Sequence, residues 1–198
     1  MWLVVGLGNP GERYDQTPHN LGFLAIDRLA EANAIRVTQP DSKALVGKGA
    51  IKVGPVETPA ILAKPQTFMN LSGTSVKALL AKYELGPANL LLVYDELALE
   101  WGSLRVRPRG SSAGHNGVRN VIDCLGTDEF ARIRLGIRPD RLAGNIEYVL
   151  APFKRARKDE LDSILDTASR AVESVMTEGV DKAMAKYNRR AQGPKEEQ

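Results

Sequence analysis

Two histidines occur in 198 residues, and each is followed by asparagine: His19-Asn20 and His115-Asn116. Imidazole is the side chain best suited to exchange protons near neutral pH. A histidine that acts as a base needs an acceptor to orient it, and Asp95, at the end of the apolar run 90–94, is the best candidate. The sequence offers no G-x-S-x-G nucleophile, and its one cysteine, Cys124, sits in an apolar pattern that reads as core. A water molecule activated by histidine is therefore more economical than a covalent intermediate. Each histidine could instead be a cap or a core residue, and Asp95 a loop-capping acid.

Asparagines recur at the same places: Asn9, Asn20, Asn70 and Asn116. Asparagine offers a donor and an acceptor without charge, which suits reading an amide or supplying an oxyanion donor. It also favours turns and caps, and Asn116, ahead of Gly117-Val118, is the strongest candidate for a plain cap. The pair Asp95-Glu96 is a poor metal site, because adjacent residues of a strand point to opposite sides. No metal and no cofactor are expected.

The net charge of +3 says little, but its placement is informative. Residues 101–141 hold eight basic and four acidic side chains, and all eight are arginine. Elsewhere the signs balance. Arg105 and Arg107 lie two apart on an alternating stretch, and Arg132 and Arg134 repeat the spacing. On adjacent strands they could converge on one phosphate. The plainer alternative is a basic, solvated sheet edge.

These residues need a scaffold. Residues 2–5 read as a buried strand, Thr17 and Pro18 as a helix N-cap and first helical residue, and about Asn20 to Asn33 as the helix. Strands are expected over 44–53, 60–63, 90–94, 104–107 and 132–137. Helices are expected from Asn70 or Ser72 to Lys82, from Asn116 to Leu125, and over 157–178 and 180–190. Residues 110–114 read as a flexible loop, and 192–198 as a disordered tail following a domain of residues 1–191. Interleaved strands and helices argue for an α/β fold, a single domain with a twisted mixed β-sheet flanked by helices. No targeting leader or membrane-spanning run is visible, so a cytoplasmic protein is expected. The segment Gly6-Leu7-Gly8-Asn9-Pro10-Gly11 fits G-x-G-x-x-G, which makes a nicotinamide dehydrogenase the first rival. Pro10 prevents a helix from opening inside the glycine stretch, and Asp27, the candidate ribose ligand, falls within the expected helix rather than at a strand end.

Six segments together resemble the bacterial-type peptidyl-tRNA hydrolase family: 4–14 (VVGLGNPGERY), 17–22 (TPHNLG), 64–73 (KPQTFMNLSG), 94–97 (YDEL), 114–117 (GHNG) and 130–137 (FARIRLGI). They occur in order over about residues 3–190. The resemblance implies a monomeric, metal-free cytoplasmic esterase with no obligate protein partner and no membrane association. Its substrate would be the ester joining an N-blocked peptide to the 3′ end of a tRNA, so that tRNA is recycled from aborted translation. By resemblance, His19 matches the catalytic base and Asp95 the acid that orients it. Asn9, Asn70 and Asn116 match asparagines that position substrate and water. Tyr14 and Met69 match residues lining the cleft, and His115 a secondary histidine near the tRNA end. Arg107 and Arg134 match a basic pair for the tRNA 5′-phosphate, with Arg105 on the same face as Arg107. The chain departs by using arginine where relatives often have lysine, Glu96 where some have aspartate, and Ser111-Ser112-Ala113 in a loop that is more glycine-rich in some relatives. A second reading, taken from plant relatives, is an RNA-binding splicing factor without hydrolase activity.

Overall fold

The alternation of residues 2–6 decides how the molecule is layered. In β1 (Trp2–Gly6), Val4 enters one apolar cluster with Leu21, Ile26 and Leu29, whereas Leu3 and Val5 enter another with Leu79 and Val121. A strand buried on both faces must lie inside a sheet covered by helices on both sides. The computed structural model has that arrangement, and it describes residues 1–138, 145–153 and 155–188. The expected tail, residues 192–198, lies outside that range, as does the end of the expected last helix.

After β1 come α1 (Leu21–Ala32), β2 (Gln39–Asp41), β3 (Ala44–Val53), β4 (Val56–Pro65), α2 (Ser72–Lys82), β5 (Leu90–Glu100) and β6 (Leu104–Arg107). The chain continues with α3 (Asn116–Leu125), β7 (Ala131–Arg138), α4 (Asn145–Leu150), α5 (Arg155–Glu178) and α6 (Val180–Tyr187). The seven strands form one mixed sheet in the order β2-β3-β4-β1-β5-β7-β6. Its centre, β4-β1-β5-β7, is parallel, and β2, β3 and β6 are added antiparallel. The α/β class and the mixed sheet follow the sequence-based expectation. β2 and α4 do not: a three-residue strand and a six-residue helix are too short to show a period.

Three expected caps are corrected. Pro18–Asn20 forms a separate 3₁₀ turn, and the Thr17 hydroxyl donates back to the Tyr14 carbonyl instead of capping. Neither Asn70 nor Ser72 caps α2: its N-cap is Leu71, and the Ser72 hydroxyl donates to the Met69 carbonyl at 2.8 Å. The Gly73 N–H in that first turn is met from α3, by Asn120 Oδ1 at 2.8 Å. The N-cap of α3 is His115, not Asn116.

Two small residues let α1 lie directly on the sheet. A Cβ on Gly6 would stand 2.2 Å from the Gly22 carbonyl oxygen, and one on Gly22 would stand 2.5 Å from the Leu7 backbone and the Val93 oxygen. The glycine-rich stretch that imitates a dinucleotide fingerprint thus serves helix-to-strand contact at its first position. At the far edge, β6 is closed by a side chain. Asn188 Oδ1 accepts the Val106 N–H at 2.7 Å, and Asn188 Nδ2 donates to the Val106 carbonyl at 3.0 Å. The opposite edge, β2, is three residues long and contains Pro40.

Candidate active site

β1 lies between β4 and β5, parallel to both. The chain leaves β1 through α1 on one face of the sheet and reaches β5 through α2 on the other. Connections that diverge this way open a crevice beyond the carboxyl end of the central strand. The turn after β1 supplies Asn9 and His19, the turn after β4 supplies Met69 and Asn70, and the loop after β6 supplies His115 and Asn116. Asp95 comes from β5, though not from its end as the sequence suggested. The strand continues to Glu100, with an irregularity after Glu96. β1 stops pairing at Val93, so Asp95 projects past the close-packed centre of the sheet.

Asp95 is 2% exposed and lies between the two histidines. His19 Nδ1 is 3.0 Å from both carboxylate oxygens, and His115 Nε2 is 3.0 Å from Oδ1. The His115 tautomer follows from its second nitrogen: Nδ1 accepts the Val118 N–H at 3.3 Å, so Nε2 carries the proton and donates to Asp95. His19 donates through Nδ1, which leaves Nε2 with a lone pair and no partner among the described residues. Burial penalises the His19 imidazolium, but the charge of Asp95 and its hydrogen bond outweigh that, and His19 titrates above the ordinary imidazole value. Burial likewise raises Asp95, but the two facing histidines overcome it and hold the carboxyl well below the usual range. The rings of His19 and His115 are 5.1 Å apart, and the Tyr94 ring meets His115 edge-on at 5.0 Å.

The asparagines are held by the backbone. Asn20, fully buried, accepts the Asn9 N–H at 2.8 Å and donates to the Asn9 carbonyl at 2.9 Å. Asn9 Oδ1 accepts the Met69 N–H at 2.8 Å. With Oδ1 occupied, the Nδ2 donor is the part of Asn9 left for the cleft. Met69 is buried against Gly117, where a Cβ would stand 2.5 Å from its sulfur. Asn9 and Met69 line a cleft of about 930 Å³ together with His19, His115, Tyr14, Asn70 and Asn116. Asn70 is exposed, and Tyr14 carries the Arg13 guanidinium over its ring. The rim adds Phe68 and Leu150, both exposed. Asn20, grouped by sequence with the candidate substrate asparagines, holds the Asn9 backbone instead of lining the cleft. Phe68 had no assigned role in the sequence reading, and its one signal was its place beside Met69.

A donor pair around a carboxylate, an unshared imidazole nitrogen and an amide donor can together serve a hydrolysis by water. The family model for peptidyl-tRNA hydrolase matches residues 3–196 of this chain. The chain belongs to the peptidyl-tRNA hydrolase family. It is 53% identical to the peptidyl-tRNA hydrolase of Solibacter usitatus, over 98% of this chain and 97% of that one. It is 48% identical to that of Koribacter versatilis, over 98% and 96%. The crystal structure of peptidyl-tRNA hydrolase from Acinetobacter baumannii superposes with a TM-score of 0.83 at 32% identity, covering 95% of this chain and 94% of that one.

Within this peptidyl-tRNA hydrolase fold the arginines part company. β6 and β7 are antiparallel neighbours, and Arg105 faces Arg134 while Arg107 faces Arg132. The two strands are neighbours, the condition for the expected convergence, but three of the four guanidinium groups hydrogen-bond within the protein. Arg105 donates to the Asn188 carbonyl. Arg134 donates through Nε and Nη2 to buried Glu96, at 3.0 and 2.7 Å. Arg132 is buried against main-chain carbonyls. The guanidinium of Arg107, alone of the four, has no hydrogen-bond or ion-pair partner among the described residues. His19, Asp95 and His115 also bring one donor atom each within 4.8 Å of one another, a spacing compatible with a metal ion. A cation there would have to replace the ring protons that both histidines direct at Asp95.

Proposed function

We propose that this chain hydrolyses the ester between an N-blocked peptide and the 3′ end of a tRNA, with His19 activating the attacking water. Family membership supports the reaction. The observation that carries the mechanism is the His19–Asp95 contact, which fixes the proton on Nδ1 and leaves Nε2 as a base facing the cleft. Nε2 takes a proton from water as the oxygen attacks the ester carbonyl. The imidazolium that forms lies against Asp95, whose charge stabilises it. Asn9 Nδ2, fixed by the Asn20 and Met69 contacts, donates to the developing oxyanion. Asn70 and Asn116 bind the amide that distinguishes a blocked peptide from a free amino group. The tetrahedral adduct then collapses: the carbonyl re-forms and the bond to the ribose oxygen breaks. That oxygen takes up the proton held on His19 to leave as a hydroxyl, so that tRNA and peptide are released and His19 is neutral again. We further take the enzyme to act in the cytoplasm as a monomer, without cofactor or obligate protein partner. Sedimentation of the purified chain tests the monomer.

Release of tRNA from N-acetylated aminoacyl-tRNA tests the reaction. His19→Ala is expected to lower single-turnover rates by about 10²–10⁴-fold, the usual worth of a general base, with tRNA binding retained. Near-normal turnover by the variant would assign the base elsewhere. Binding without turnover in the unaltered chain would leave only the RNA-binding reading.

A further inference from the structure

Arg132 is 1% exposed and is the largest fully buried side chain among the described residues. No carboxylate accepts a hydrogen bond from it there. Its bonds run to carbonyls: Nη1 to Gly110 at 2.5 Å and to Ser111 at 3.3 Å, Nη2 to Asp128 at 2.7 Å, and Nε to Phe130 at 3.5 Å. Its guanidinium carbon stands 4.3 Å from the centre of the Phe130 ring. Burying a cation is expensive, and carbonyl dipoles offset the cost less completely than a carboxylate would. An apolar residue of similar volume would fill the space more cheaply. What it could not do is hold two stretches of chain at fixed separation: residues 110–111 after β6, and residues 128–130 before β7.

The first of these stretches leads straight to the cleft. Only Ser112, Ala113 and Gly114 separate Ser111 from His115, and the His115 N–H donates back to the Ser112 carbonyl at 2.8 Å. Ala113 adopts a φ of 46°, a conformation that residues with a Cβ rarely take. A loop with that local strain must be held from outside. Ala113, Gly114, His115 and Asn116 all line the cleft. We propose that Arg132 is a positioning residue for the hydrolysis proposed above. Through the Gly110 and Ser111 carbonyls it sets where His115 meets Asp95 and where Asn116 meets the substrate. It is distinct from Arg107 and Arg134, whose suggested partner is a phosphate, because its donors are turned inward and covered.

The test compares Arg132→Lys and Arg132→Met with the unaltered enzyme on two substrates: N-acetylated aminoacyl-tRNA and N-acetylated aminoacyl-adenosine. An ammonium cannot match the spread of a guanidinium's donors to four carbonyls, and a thioether donates to none, so both variants are expected to lose about 10- to 100-fold in kcat, as for a modest misplacement of bound groups. KM should change little and the loss should be equal on both substrates. Arg132→Ala should regain part of its kcat when guanidinium ion is added at millimolar concentration. Thermal melting of each variant is recorded alongside. A higher KM on the tRNA substrate alone would make Arg132 a phosphate ligand and overturn the proposal. So would a lower melting temperature with normal kcat per folded molecule, or failure of guanidinium to rescue a folded Arg132→Ala. If Arg132→Met does not fold, the lysine variant alone carries the comparison. Absence of hydrolysis by the unaltered chain would refute the proposed reaction, a result distinct from all of these.

Discussion

At the scale of single residues, the proposed mechanism makes the shared carboxylate the setter of the pH response. As the proposed base, His19 must be neutral to accept a proton from water, yet Asp95 holds its imidazole above the ordinary value. Protonation therefore silences the base over a wider range of pH. The acid limb of kcat/KM is expected to lie above the midpoint of a free imidazole. In Asp95→Asn the carboxylate charge is gone and burial remains, so the limb should move to lower pH while the plateau falls. A pH–rate profile of both proteins checks this, and an unmoved limb would mean that Asp95 does not set the titration of His19. The residue types were legible because the chemistry restricts them: few side chains can take a proton near neutrality, and His19 and Asp95 stood at loop and strand positions. That one carboxylate serves two rings was not legible. It depends on where the loop after β6 delivers His115, and no local pattern encodes that. The exchange of cap roles between His115 and Asn116 has the same cause, since Asp95 turns the His115 ring so that Nδ1 faces the helix.

Elements are placed by contacts tighter than side chains allow. Gly22 in α1 touches the backbone of both the turn after β1 and β5. Gly22→Ala forces the helix outward, and with it His19 on the preceding turn. Such overpacking typically costs about 1–3 kcal/mol, or roughly 2–4 °C of melting temperature per kcal/mol in a chain of this size. Activity should fall further than stability alone explains, because His19, the proposed base, moves with the helix. Calorimetry and turnover on one preparation decide, and an unchanged melting temperature would show that the contact yields freely. Strands and long helices were legible from period. The arginines show the limit of that signal. Arg105, Arg107, Arg132 and Arg134 share one alternation, yet each meets something different: a carbonyl after α6, open surface, a carbonyl cage and Glu96. Alternation assigns a face but not what covers it.

For the molecule as a whole, the basic excess between residues 101 and 141 lies largely on β6 and β7, and Arg138 at the end of β7 lines the cleft. Arg107 is the member of the four free to meet a phosphate. Arg107→Ala is expected to raise KM for peptidyl-tRNA and to flatten its salt dependence by about 0.7–0.9 in log–log slope, the share of one phosphate. Hydrolysis of a blocked aminoacyl-adenosine should not change. Arg134→Ala should differ, since it strips buried Glu96 of its cation and leaves only the Ala98 N–H. A loss of stability is expected there along with any change in KM. Equal losses on both substrates for Arg107→Ala would remove the phosphate contact from the account.

The amide of Asn188 occupies, on the open side of β6, the seat that a strand from another molecule would take. One side chain satisfies the donor and the acceptor of Val106 and so denies them to a neighbour. Sheet edges left bare are templates for aggregation. Asn188→Ala should therefore leave the fold and the cleft intact but make the protein prone to stack edge to edge. Light scattering on concentrated samples should rise with time for this variant and stay flat for the unaltered chain. Restoring the amide with glutamine should help little, because the longer side chain carries it past Val106. The residue that ends α6 through its backbone thus covers the open edge of β6 with its side chain.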